Sequence, residues 1–389
     1  MKGSHPIVAL GFRPFYSLAA IFAVVAILSW LLSIAGVDQA GAYLQGVFWH
    51  SHEMVFGFAI AVMTGFLLTA VRNWTGLPTP VGIALTALAA VWLAGRLLII
   101  TGPPMLAAVV DVVFIPLLAV AIALPIVKSR NQRNYKIVVL LLLMAITNVI
   151  YHLAALGPLP AWLAYTTVIT ALDLITIVFA IVAGRVIPAF TKNAIPASEP
   201  RHAKWLEFLS FGSLALIVVM RVAGDWIAVP SMATTTIILI AAVSQAFRLA
   251  FWQPQLTARN PLLWMMPVAY SWVPIALFMR ALAPYGTVSQ GTWIHALTMG
   301  AISGLMLAMM MRSALGHTGR PLAASGMDMT AFLLLQLAAI VRVTAGLFGT
   351  SLYEPLVIVS GVLWMAAFGA FLARYLPMLI RPRIDGRPG

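Results

Sequence analysis

The run Trp49-His50-Ser51-His52-Glu53-Met54 puts two imidazoles and a carboxylate at the mouth of a long apolar segment, in a chain with seven histidines and no cysteine. Ionisable groups at membrane depth are costly to keep and mark candidate sites of function. Without cysteine there are no disulfides, thiolate ligands, iron–sulfur clusters or thioether-linked haem. Any metal must therefore be held by His, Met, Tyr, carboxylate or backbone. Residues two apart on a helix point about 200° apart, so His50 and His52 cannot ligate one ion if both are regularly helical. They serve different sites, or His50 precedes the helix proper.

The elements that hold these groups follow from composition. Of 389 residues 62% are hydrophobic and 8% charged, too little polar surface to cover a soluble domain. The chain reads as an all-α polytopic membrane protein, one transmembrane domain over 1–389 with no room for a soluble one. Apolar runs of the length a bilayer requires predict about twelve spans. Their limits are 13–36, 50–71, 80–101, 105–127, 136–156, 160–187, 204–224, 229–250, 261–283, 291–313, 327–349 and 353–378. The short turns at Gly102-Pro103-Pro104 and Gly157-Pro158 make their flanking helices antiparallel neighbours.

All but four of the 23 Lys and Arg residues fall in loops or helix ends on the side of the N-terminus, which the positive-inside rule makes cytoplasmic for both termini. The net charge of +13 is then mostly this asymmetry, with attraction to anionic membrane lipid as a by-product and no nucleic-acid partner needed. The first span is too long for the apolar core of a cleavable signal and is expected to stay as a helix.

Topology sorts the histidines. His50 and His52 enter the second span from the outer side, His152 lies about a turn from the outer end of the fifth, and His295 about a turn inside the outer end of the tenth. At about 1.5 Å rise per residue the four share a level within roughly 10 Å of depth. Separate interfacial histidines, each bonded to a carbonyl or water, are the plainer alternative. His5, His202 and His317 fall on the cytoplasmic side. Asn148, four residues before His152, could fix its tautomer or simply bridge helices. Gly300 and Gly304, below His295, suit either a flat porphyrin or close helix packing. Met299 could be a soft ligand, though core filling is the commoner use of Met.

Arg96, Arg221, Arg280 and Arg342 lie on or near the outer side, where they suit haem propionates or pairing with Glu53, Asp111, Asp225 or Glu354. Asp173, near mid-span, reads as a proton relay, a substrate ligand or a partner of a neighbouring Ser/Thr. Arg96, Arg221 and Arg342 sit late in the third, seventh and eleventh spans, each followed within six residues by Gly. Four helices repeated three times, with a period of about 120 residues, account for that rhythm.

The strings WHSHEMVFGFAIAVMTGFLLTAVRNWTG, AGRVIPAFTKNA and HALTMGAISGLMLAMMMRSALGHTGRPL resemble the NnrS family, from about Gly11 to Leu376. The resemblance implies twelve helices in a bacterial inner membrane, b-type haem, copper and a role in the nitric-oxide response, often beside denitrification. The histidines of WHSHEM, of HALTMG and of GHTGR match the family's motif positions. A nitric-oxide reductase or haem-copper oxidase subunit is excluded, because it needs six histidines for two haems and a copper and only four lie on the outer side.

The expectation is a haem b and copper protein that binds or turns over nitric oxide or a nitrosylated iron species near the periplasmic face, in nitric-oxide metabolism or nitrosative-stress resistance. His52 and His295 are the haem-ligand candidates, with Arg96 and Arg342 as cofactor-binding arginines, and His50 and His152 the candidates for copper. The electron donor, and whether the protein is an enzyme, are left open. The alternative is a twelve-helix secondary transporter without cofactor, with Asp173 and the arginines along its path.

Overall fold

In hydrocarbon every backbone N–H and C=O must be satisfied within the segment, and the long apolar runs meet that demand as helices. The computed structural model describes residues 5–37, 43–348 and 351–387. Among them are twelve helices long and apolar enough to cross a membrane: α1 (Phe12–Ile34), α2 (Gly46–Thr75), α3 (Ile83–Thr101), α4 (Pro104–Lys128), α5 (Gln132–Leu156), α6 (Trp162–Ala194), α7 (Lys204–Gly224), α8 (Ser231–Phe251), α9 (Pro261–Tyr285), α10 (Gln290–His317), α11 (Gly326–Phe348) and α12 (Tyr353–Leu379). The number and order match the sequence reading. The largest shift is in α6, which runs on to Ala194. The expected end of the eleventh span at residue 349 lies outside the described residues.

The contacts group into two compact units. The first holds residues 1–171, 312–321 and 368–389, and so α1 to α5 with the ends of α10 and α12. Here α1 packs on α2, and α2, α3, α4 and α5 are joined through α4. Small residues allow the closest approaches. A Cβ on Gly65 would stand 2.8 Å from the Tyr16 ring, and one on Gly11 would meet Leu68. The turn at Gly102-Pro103 does bring α3 and α4 side by side. In the second unit, residues 172–311 and 322–367, α7 packs on α8, α8 on α9, and α9 and α11 on α10. Gly300 lies against the Trp272 indole of α9, and Gly304 against Ala269 and the Gln336 amide. Both glycines thus allow close packing of α9, α10 and α11.

The most enclosed spans are α2, α6 and α10, four helices apart. Each carries one of the ionisable groups singled out above: His52, Asp173 and His295, 121 and 122 residues apart. In α2 and α10 the α-helix gives way to a π-helix at the residue after the histidine, over Glu53–Ala59 and Ala296–Ser303. Such turns are rare and concentrate at functional sites.

Candidate metal centre

His52 is the last α-helical residue before the π segment, and its ring is walled by Phe56 and Tyr151, with centroids 5.1 and 5.0 Å away. Its Nδ1 donates to Glu53 Oε1 at 2.8 Å. Its Nε2 faces Asn148 Oδ1 at 3.1 Å and Asp111 Oδ2 at 3.3 Å. His152, on α5, turns its Nε2 to the same Asp111 oxygen at 2.9 Å, while its Nδ1 meets the Tyr43 hydroxyl. One ligand atom from each of His52, Asp111 and His152 lies within 4.8 Å of the others, and all three residues are buried. Each imidazole is thus held at Nδ1 by an outer partner and points Nε2 inward, the arrangement that fixes the tautomer of metal-binding histidines.

Three helices deliver these groups, and glycine lets them close. A Cβ on Gly57 would lie 2.7 Å from Arg96 Nη1 and 2.8 Å from Phe22, and one on Gly95 would lie 3.3 Å from Asp111 Oδ1. Arg96 enters from α3 and joins the carboxylates, donating to Glu53 Oε1 at 2.9 Å and pairing through Nη2 with Asp111 Oδ1. Trp92 fixes the π segment from the same helix, its Nε1 donating to the Gly57 carbonyl at 3.1 Å. Asn148 donates from Nδ2 to Asp111 Oδ2 at 2.8 Å. Its amide therefore serves His52 and Asp111, where the sequence spacing suggested His152.

Charge balance in the cluster is uneven. Glu53 and Asp111 supply two negative charges and Arg96 one positive, all at 3% exposure or less. Glu53 Oε2 is buried and has no hydrogen-bond partner among the described residues. A neutral His52 carries one N–H, given to Glu53, so its Nε2 lone pair faces acceptor oxygens. A cation at Nε2 removes both the electrostatic conflict and the residual negative charge. Ligands about 2.0 Å from a shared ion in a tetrahedral site stand about 3.3 Å apart. The Nε2–Oδ2 separations of 2.9 and 3.3 Å are already of that size.

The other candidates lie elsewhere. His50 stacks on Trp30, centroids 4.6 Å apart and planes 16° apart, so it is not brought to His152. The divergence expected of residues two apart holds here. His295, half-buried in the second unit, donates from Nδ1 to the Gly291 carbonyl at 2.6 Å. Arg342 donates to the Tyr353 hydroxyl at 3.1 Å. Asp173 takes a partner the sequence did not suggest. Arg280 of α9 forks onto its carboxylate, Nη2 to Oδ2 at 3.0 Å, and lies 4.6 Å over the Trp293 ring. The arginine and the carboxylate were both visible in the sequence, but 107 positions apart.

The fold and site together define a multi-pass, all-α membrane protein with a buried His–Asp–His group able to hold a metal ion. Residues 6–383 match the family described as NnrS protein. The chain belongs to the NnrS family. No curated protein matches it.

Proposed function

We propose that this protein binds copper and b-type haem in the bacterial inner membrane and acts in nitric-oxide metabolism or nitrosative-stress resistance. The observation that carries the metal site is the convergence of His52 Nε2 and His152 Nε2 on Asp111 Oδ2, each imidazole oriented from behind. Copper is favoured because imidazole suits it and because a single added positive charge, as in Cu(I), balances the two carboxylates against Arg96. His52, His152 and Asp111 would hold it, and Glu53, Tyr43, Asn148 and Arg96 keep those three in place. This takes His52 from the haem pair expected of it and leaves His50 outside the copper set.

His295 would hold haem b, since its Nδ1 donates to the Gly291 carbonyl and so orients the imidazole as a ligand. A haem held there would supply an iron able to bind nitric oxide. The protein's own residues hold the imidazole's tautomer, keep water from the buried cluster and hold the carboxylates' charge in check. The site faces the periplasm and both termini are cytoplasmic, by the distribution of basic residues.

Elemental analysis of the purified protein tests the copper assignment. His52→Ala and His152→Ala are each expected to lower copper while His50→Ala retains it, and neither copper-site variant is expected to restore growth of a deletion strain under a nitric-oxide donor. Undiminished copper in both would overturn the site.

A further inference from the structure

A second cluster of charge lies where α1 begins and α2, α10 and α12 end. Arg13 is 1% exposed in the first turn of α1, and its Nη1 donates to the carbonyls of Leu379 and Arg381 at 2.8 and 2.7 Å. The chain after α12 folds back over the loop after α10. Ile384 N donates to Thr318 O at 3.3 Å, and Arg383 Nη1 to His317 O at 2.9 Å. Gly319, at φ +78°, lets the Asp385 carboxylate sit where a side chain would otherwise stand.

Six guanidiniums gather at this turn. Arg13 feels Arg320 and Arg383. Arg320 feels Arg374 and Arg381. Arg13, Arg72 and Arg383 all bear on His317. Among the described residues Asp385 brings a carboxylate to this turn, bound on both oxygens by Arg383 at 2.8 and 2.6 Å. That pairing holds the Asp385 carboxyl well below the usual range. Partial burial, then the charges of Arg374 and Arg381, pull Arg320 below its ordinary value. Arg13 Nε is buried and makes no hydrogen bond among the described residues. Ile380 and Ile384, beside Arg381 and Arg383, are 42% and 62% exposed.

We propose that this arginine cluster binds the phosphate of an anionic phospholipid. The excess of guanidiniums supplies charge and forked donors for phosphate oxygens, and basic pockets between transmembrane helices take headgroups in this way. The exposed isoleucines offer apolar surface to an acyl chain, which a free phosphate would not use. The site is independent of the metal reading.

The test uses the full-length protein in neutral detergent, with phosphatidylglycerol or phosphatidylcholine added at equal ionic strength. Retained lipid is read by native mass spectrometry and stability by the thermal midpoint. Phosphatidylglycerol is expected to be retained in preference and to raise the midpoint. Arg320→Gln with Arg381→Gln, both at the surface of the cluster, should weaken retention about tenfold or more. Arg259→Gln, in another loop, should retain lipid as wild type does, and unchanged helical circular dichroism in each variant shows that it folds. Equal retention of the two lipids, or a double variant that behaves as wild type, overturns the proposal. Inorganic phosphate that stabilises as well as the lipid, and is lost with the double variant, assigns the cluster to free phosphate and overturns the lipid.

Discussion

His152 Nε2 stands 2.9 Å from Asp111 Oδ2, the same oxygen that His52 Nε2 approaches at 3.3 Å. One carboxylate oxygen thus sits between two inward-facing imidazole nitrogens, so either histidine can be removed without removing the other's approach to it. Asp111→Asn should therefore weaken copper retention less than the double variant His52→Ala with His152→Ala. Copper titrations with a chromogenic chelator rank the three proteins. A ranking in which Asp111→Asn is the most damaged would make the carboxylate the principal ligand.

Arg96 binds two carboxylates with different arms of its fork, and no single ammonium reproduces that reach. Arg96→Leu leaves Glu53 and Asp111 uncompensated in a buried site, which costs about 3–5 kcal/mol by precedent for broken buried pairs. Arg96→Lys should recover only part of it. Unfolding in mixed micelles measures the loss, and a variant as stable as wild type would show that the charges are balanced from elsewhere.

Gly57→Ala inserts a methyl 2.7 Å from Arg96 Nη1 and 2.8 Å from Phe22. Overpacking of this kind costs about 1–3 kcal/mol. Because the displaced atom is the guanidinium that restrains Glu53, copper content should fall along with stability. Gly369→Ala, where a Cβ meets nothing within 4 Å, is the control. Equal behaviour of the two substitutions would count against the tight fit around Arg96.

His295→Ala should abolish or strongly shift the Soret band, whereas His5→Ala and His202→Ala should leave it unchanged. With no cysteine for thioether bonds, the pyridine haemochrome should be that of b-type haem. An unaltered spectrum in His295→Ala would move the haem to another ligand.

Reporter fusions after residues 158 and 286 should report the periplasm, and those after 131 and 198 the cytoplasm. The expectation rests on the grouping of basic residues in alternate loops. A reversed pattern would put the metal cluster at the cytoplasmic end and the arginine cluster at the other.

The twelve spans were legible because a bilayer leaves hydrophobic length as a one-dimensional signal, and their bounds differ from the helices mainly where polar ends such as Thr191 to Ala194 continue the winding. His52 and His152 were visible as types and depths. Their convergence was not, since lateral position in a bundle depends on packing between α2, α4 and α5 that no local pattern encodes. The pairing of Arg96 with Glu53 and Asp111 was one of two readings that charge allowed, and the packing of α2, α3 and α4 brings the three together. Asn148 went to His52 because the neighbouring helix supplied a nearer partner than its own next turn. Gly57 carries a signal that could have been used, a small residue one turn below the histidine, as Gly300 is below His295. The arginines around His317 come from five stretches of chain and were counted only as orientation marks.

The paired π-helices set the phase of the two helices they interrupt. A π-turn closes i to i+5, one residue more than the α-turn it replaces, and each residue of a helix is worth about 100° of rotation. Everything after Ala59 is therefore turned against the face that bears His52, and everything after Ser303 against the face that bears His295. The offset is the same in both: His52, Gly57, Met63, Thr75 and Gly76 each find their own residue type 243 positions on, at His295, Gly300, Met306, Thr318 and Gly319. That interval is two periods of the four-helix rhythm of about 120 residues. Read at the same interval, Asp111 falls on Glu354, the carboxylate at the start of α12.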